Sequence, residues 1–310
     1  MKKHNNPDYN FIRFSHDKQK NGAEPVFGSI LAYKRVRVIP LRFLFIVSMM
    51  ISYNFGPGVL SRVEANASPD LTAREIMAGY RSQRSSRDER SKLTMKLLDS
   101  RGRERIRKLE QVTITDDDDN QKMLITVDEP EDIRGTAFLI IEHTDSDDDQ
   151  WLYLPAFRKV RRVLPNEKSD SFLGSDFFYE DLETEDLEHY EYVLTGEESI
   201  DGKQCWKIEA RPADSKTLKD SGYSKRELWI TQDKYVGLQT RFYDKKGKLI
   251  KEFRALDVKD TGKDDKWRAY RLEMHNLESD HRTVILYSDY ILNNGVPDWI
   301  FSRAYLERGK

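Results

Sequence analysis

Ser175 stands between Gly174 and Asp176, a neighbourhood that raises the question of a nucleophile. A hydrolase serine needs a Gly-x-Ser-x-Gly elbow and a base within reach, and Ser175 has neither the elbow nor a histidine nearby in sequence. The stretch reads instead as a turn in which Asp176 caps the residues after it. The six histidines, at 4, 16, 143, 189, 275 and 281, lack the paired spacing of a zinc site. Asp116 to Asp119, and Asp145 with Asp147, Asp148 and Asp149, offer the hard oxygens calcium takes. Neither run has the glycine and terminal glutamate of a calcium loop, so both read as solvated hairpin tips. These residues point to no catalytic group, no metal and no cofactor.

Two other clusters suit binding. Arg158, Lys159, Arg161 and Arg162 form the one dense basic group. Guanidinium forks suit phosphates or carboxylates, so the group either meets a lipid headgroup or pairs with Glu180, Asp181, Glu183 and Glu185. Phe172, Phe177, Phe178 and Tyr179 are too many aromatics for an exposed loop, so that segment docks on something apolar, as a permanent plug or as a movable lid. Trp151 and Tyr153 share a face by strand parity, where they line a pocket or fill a core.

The elements that must position these residues are mostly strands. Thr72 and Glu75 make a capping box, and Leu71, Ile76, Met77 and Tyr80 recur at helical spacing through about three turns. From Ser91 the period changes to two, with Leu93, Met95 and Leu97 alternating with Lys92, Thr94 and Lys96. Further strands are expected at about 104–115, 121–128, 133–143, 190–194, 206–210, 228–231, 236–243, 249–258, 267–277 and 283–291, with Asp201-Gly202 as a hairpin signal. No helix-length segment separates them, which excludes parallel βαβ folds and leaves a large antiparallel sheet. Only the first helix, the 165–188 segment and the tail near 298–306 are available to cover its apolar face. That is little cover for so much sheet, so a concavity suited to acyl chains is expected. By strand parity its lining is Leu93, Met95, Leu97, Phe138, Ile140, Trp151, Tyr153, Phe172, Phe178 and Trp229.

A hydrophobic content of 38% with 34% charged residues describes a soluble globular protein. The N-terminus differs. Lys34, Arg35, Arg37 and Arg42 precede an uncharged run from Phe43 to Phe55, too short for the roughly 20 apolar residues of a membrane helix. Gly56-Pro57-Gly58 and then the small-x-small pattern Ala65-Asn66-Ala67 follow, which predicts a signal peptide cut after Ala67 and a domain at 68–310. A membrane anchor with a linker is the other reading. The part before Lys34 is long for a signal peptide, as an upstream start codon would explain. Of the 52 Lys/Arg and 54 Asp/Glu, the first 67 residues hold 10 and 4, so the remainder carries 42 against 50, a net charge of −8. An acidic surface removes the main driving force for nucleic-acid binding. Cys205 is the single cysteine, which excludes an internal disulfide and a lipidated cysteine at the leader's end.

Several motifs together resemble a known family. They are Gly135-Thr136-Ala137-Phe138-Leu139, Trp151-Leu152-Tyr153-Leu154-Pro155-Ala156, then Arg158, Arg161 and Arg162, and finally Phe172 through Leu182, including Gly174, Ser175, Asp176, Tyr179 and Asp181. They resemble the outer-membrane lipoprotein-sorting proteins, the LolA-like group associated with transporters of the resistance-nodulation-division type. The likeness runs from Thr72 to Leu306 and is most specific at Gly174 to Leu182; the segment before Lys34 is not part of the pattern. It implies a half-open antiparallel β-barrel with a few covering helices, acting without catalysis in the periplasm. The implied partners are lipid or lipoprotein acyl chains, a transporter of that type, and a membrane touched transiently. The alternative is a module that docks on an envelope complex through Phe172–Leu182 and carries nothing.

Overall fold

The computed structural model describes residues 71–143, 146–184 and 186–308. The Phe43–Phe55 run, the Ala65-Asn66-Ala67 cleavage site and the boundary after residue 67 lie outside the described residues. Among the described residues no helix is long and apolar enough to cross a membrane.

Among the described residues thirteen strands make one antiparallel sheet. They are β1 (Asp88–Leu98), β2 (Glu104–Thr115), β3 (Gln121–Glu129), β4 (Ala137–Ile141), β5 (Asp149–Leu154), β6 (Lys159–Arg162), β7 (Tyr190–Ile200), β8 (Lys203–Pro212), β9 (Lys225–Thr231), β10 (Gly237–Tyr243), β11 (Leu249–Asp260), β12 (Trp267–Asn276) and β13 (His281–Leu292). The strand order is β6-β5-β4-β3-β2-β1-β13-β12-β11-β10-β9-β8-β7, two meanders joined where the first strand pairs with the last. Met95 there lies opposite Ile285. The sheet stays open and curls into a half-barrel, the expected class.

Turn chemistry sets the register. At the β7–β8 hairpin Asp201 and Gly202 both take positive φ, 49° and 78°, as a tight hairpin with the twist of its strands requires. Asp116 closes the β2–β3 turn by accepting from the Asp118 and Asn120 N–H groups, so this acid is a turn residue. The expected strand at 133–143 is shorter, because Glu131–Ile133 form a 3-10 turn and β4 starts at Ala137. A short helix, α2 (Ser215–Asp220), capped by the Asp214 carboxylate, interrupts the strands where none was expected.

The opening helix, α1 (Ala73–Arg84), forms as its capping box predicts: Glu75 N–H donates to Thr72 Oγ1 at 3.2 Å and Thr72 N–H to Glu75 Oε2 at 2.7 Å. Ile76 and Met77 bury against Ile208, Ala210, Leu228 and Ile230. Two glycines let it lie close. A Cβ on Gly79 would meet the Tyr235 ring at 2.4 Å, and one on Gly237 the Tyr80 ring at 2.8 Å.

The tail corrects one expectation. Ile300, Phe301 and Leu306, the last in α3 (Arg303–Arg308), pack on Val112, Leu124 and Leu139. By strand alternation these lie on the opposite face from Leu93, Leu109, Ile125 and Phe138, so the tail covers the convex side.

Candidate functional site

β6 and β7 are the two edges of the sheet, so the chain joining them has to travel from one edge to the other. It does so across the concave face. Phe172, Phe177 and Tyr179 are buried among Leu93, Met95, Leu97, Leu109, Ile125 and Phe138. The Phe138 ring sits 5.4 Å from Phe172 and 5.1 Å from Tyr179, and Phe178 stacks on Tyr223 at 5.6 Å.

Polar groups bolt this segment down. Lys251, 1% exposed, donates to Asp181 Oδ2 at 2.8 Å and to the Asp176 carbonyl at 3.1 Å, with its ammonium 3.4 Å from the centre of the Phe178 ring. Asp181 also accepts from Tyr223 Oη at 2.8 Å and from the Phe178 N–H at 2.7 Å. Burial pushes the Lys251 ammonium down from its usual range, while Asp181 opposes that shift. Glu180 accepts from Ser221 Oγ and the Gly222 N–H, both at 2.7 Å. Burial and then the neighbouring Asp181 charge push its carboxyl up to about 7. Gly222 is needed because a Cβ there would stand 2.8 Å from that carboxylate.

Ser175 and Asp176 have structural partners. The Ser175 hydroxyl donates to the Phe172 carbonyl at 2.7 Å and accepts from the Phe177 N–H at 3.2 Å. Asp176 does not cap the following residues as expected. Its carboxylate takes the Thr283 hydroxyl at 2.7 Å and pairs with His281 Nδ1 at 2.9 Å, because the crossing segment lays it against β13.

Past the segment the concave face is not filled. A cavity of about 270 Å³ lies between Phe177–Thr184 and the C-terminal end of α1. Its floor is Phe242, Phe253, Leu272, Met274 and Ile285 from four neighbouring strands. The volume lies just below the roughly 300–1,000 Å³ typical of small-ligand pockets. A second cleft, about 350 Å³, is lined by charged groups such as Asp148, Lys168, Glu183 and His189, which suits no apolar chain.

Of the residues expected to line a concavity, Leu93, Met95, Leu97, Phe138, Ile140 and Phe172 join one core cluster, with Phe178 packed against it. Among them Ile140 alone borders the cavity, since the crossing segment fills the space over the others. Trp151 and Tyr153 are a correction: they pack on the convex face with Leu139 and Ile300, and Leu152 between them points inward. Trp229 is another. It is 1% exposed on the convex side with Cys205 and Leu238, its Nε1 donating to Glu198 at 2.9 Å. The cavity floor came from strands whose alternation was visible, whereas nothing local marked Lys251 as buried.

The basic cluster pairs elsewhere than expected. Arg161 meets Glu167 at 2.8 Å and Arg162 meets Asp149 at 2.7 Å, while Arg158 takes a left-handed turn at φ 49° before β6. Glu180 and Asp181 are held by Ser221, Gly222, Tyr223 and Lys251 as above, and Glu183 goes to Lys168 at 2.6 Å.

A family model described as an uncharacterized protein matches residues 119–308. No curated protein matches the chain. Among solved structures, a "putative outer membrane lipoprotein-sorting protein domain" from Vibrio parahaemolyticus is 32% identical with a TM-score of 0.71, over 76% of this chain and 98% of that one. A DUF1329 family protein from Desulfovibrio piger is 28% identical with a TM-score of 0.70, over 76% and 97%. A LolA superfamily protein from Nitrosomonas europaea, 22% identical over 76% and 99% with a TM-score of 0.61, shares the fold. With this sheet, this crossing segment and this degree of identity to the Vibrio domain, the chain belongs to the outer-membrane lipoprotein-sorting protein family, and it has the fold of the LolA superfamily protein.

Proposed function

We propose that the chain is a periplasmic carrier that holds the acyl chains of lipids or lipoproteins, exported by a signal peptide ending at Ala67 and working as residues 68–310. The observation that carries this reading is the apolar-floored cavity of about 270 Å³ left open on the concave face. Each methylene moved from water onto that floor contributes about 0.8 kcal/mol, so part of one acyl chain is enough for useful affinity. Cargo leaves one membrane on transient contact, buries here, and is released when α1 shifts. Service beside a lipid-exporting transporter of the resistance-nodulation-division type fits the same cargo.

The reading as a docking module that carries nothing placed its contact surface at Phe172–Leu182. That segment's aromatics are buried and its acids are held, so docking through it requires its release. Native mass spectrometry of protein purified from the periplasm separates the two. Co-purifying acylated molecules, lost in Leu272→Asp with the fold intact, are expected of a carrier. A protein that is consistently empty, and unchanged by Leu272→Asp, sinks the carrier reading.

A further inference from the structure

The cavity has two unlike ends. Along three adjacent strands the inward positions turn from apolar to polar in the same direction. On β1 Leu97, Met95 and Leu93 give way to Ser91 and Glu89. On β2 Leu109 gives way to Gln111 and Thr113, and on β3 Val127, Ile125 and Met123 give way to Gln121. The registers put the polar members side by side, with Ser91 opposite Gln111 and Glu89 opposite Thr113.

The charges at this end are already spoken for. Arg268 donates to Glu89 at 2.9 Å and to the carbonyls of Gln83 and Arg84 at the end of α1. Tyr287 donates to Gln111 at 3.4 Å. On the cavity wall the Gln121 side-chain amide nitrogen is buried without a hydrogen-bond partner among the described residues, although the same residue's backbone N–H is held by Glu142. The Ser91 hydroxyl at the same end is also buried without a partner among the described residues. Leaving such groups unpaired is costly, and a ligand that supplies an acceptor removes the cost.

We propose that the cavity takes a single acyl chain whose head presents a hydrogen-bond-accepting oxygen, a carboxyl or an acyl ester, to Gln121, while the chain lies on Leu272, Met274 and Ile285. This rests on the carrier reading and narrows its cargo. A cationic head is disfavoured, since a quaternary ammonium offers Gln121 no acceptor.

Calorimetric titration of the whole protein with dodecanoate, methyl dodecanoate and dodecyltrimethylammonium tests it. The two acceptor-headed amphiphiles are expected to bind about tenfold or more tightly than the cation. Gln121→Leu should erase that preference while retaining chain binding, and Gln121→Glu should shift it towards the ammonium. Gln121→Met guards against a folding defect in either. Equal affinities in the unaltered protein, or a preference untouched in Gln121→Leu and Gln121→Met, overturn the assignment of the head while leaving the carrier reading in place. Failure of all three amphiphiles to bind overturns both.

Discussion

The two ends of the half-barrel share one sheet and meet opposite treatments. At one end the edge-to-edge crossing fills the concavity: Phe138, Phe172 and Tyr179 interlock, and Lys251 pins Asp181 beneath them. At the other, α1 reaches over β8 and β9 and leaves a hollow whose rim turns polar at Glu89, Gln111 and Gln121. Stability is therefore concentrated where the chain fills its own groove, and binding capacity where it does not. The difference follows from topology. A sheet with its edges at β6 and β7 obliges the connecting segment to cross somewhere, and the crossing occupies only part of the strands' length.

The sharpest way to break this contrast is at the pin. Lys251→Met leaves Asp181, 4% exposed, as a buried carboxylate without its cation, and should cost about 3–5 kcal/mol in denaturant unfolding. Adding Asp181→Asn should recover part of that loss, because the stranded charge goes with it. A single variant as stable as the parent would mean that the segment is held by its aromatics alone.

Truncations compare the two ends directly. Phe172→Ala, in the filled end, should cost about 3–5 kcal/mol, since a void opens in packed surroundings. Phe253→Ala, beside space already open, loses mainly the transfer term and should cost about 1–2 kcal/mol while weakening acyl binding. Equal costs, measured by urea unfolding, would erase the distinction between plug and hollow.

How far this division was legible depends on which signals were local. α1 announces itself because a capping box needs only Thr72 and Glu75, and most strands because alternation needs only neighbours. The aromatic crowd at 172–179 demanded burial before any partner was known. The choice of face failed where both faces are covered: Leu228, Trp229 and Ile230 are all buried, and so are Phe138, Leu139 and Ile140. With no polar parity to break the tie, Trp151, Tyr153 and Trp229 were assigned to the wrong side. Lys251 was illegible for another reason. A lysine reads as outward-facing, and what turns it inward is a carboxylate 70 residues away.

Glu180 makes the filled end sensitive to pH. Its carboxyl titrates at about 7 in the folded state against 4.5 as a free side chain, so between those values the folded form holds a proton that the unfolded form has lost. The stabilisation is complete below the lower value, declines as pH rises between about pH 5 and pH 7, and is flat above. The full span is worth about 3 kcal/mol at most. Of the other acids about this group, Asp181 is engaged by Lys251, while burial pushes the Glu183 carboxyl up against the pull of Lys168, so Glu183 adds to the slope in the same direction. Glu180→Gln should therefore flatten the pH dependence of the unfolding midpoint relative to the parent, and an unchanged slope would assign it to another group.

The smallest effect belongs to the open end. Thr72→Ala removes the side-chain acceptor for the Glu75 N–H and should cost about 1 kcal/mol. Helix ends fray locally, so the loss should fall on α1 and spare the crossing segment, which shares none of its hydrogen bonds at Thr72. Amide hydrogen exchange reads this residue by residue: faster exchange across 73–84, with 172–182 unchanged, is expected. Because α1 forms one wall of the hollow through Tyr80, Gln83 and Arg84, the same variant should release an acyl probe faster while global unfolding moves little. Exchange that quickens equally in both segments would show that the cover of the hollow and the plug of the groove open as one unit, and the division between the two ends would then hold for packing but not for motion.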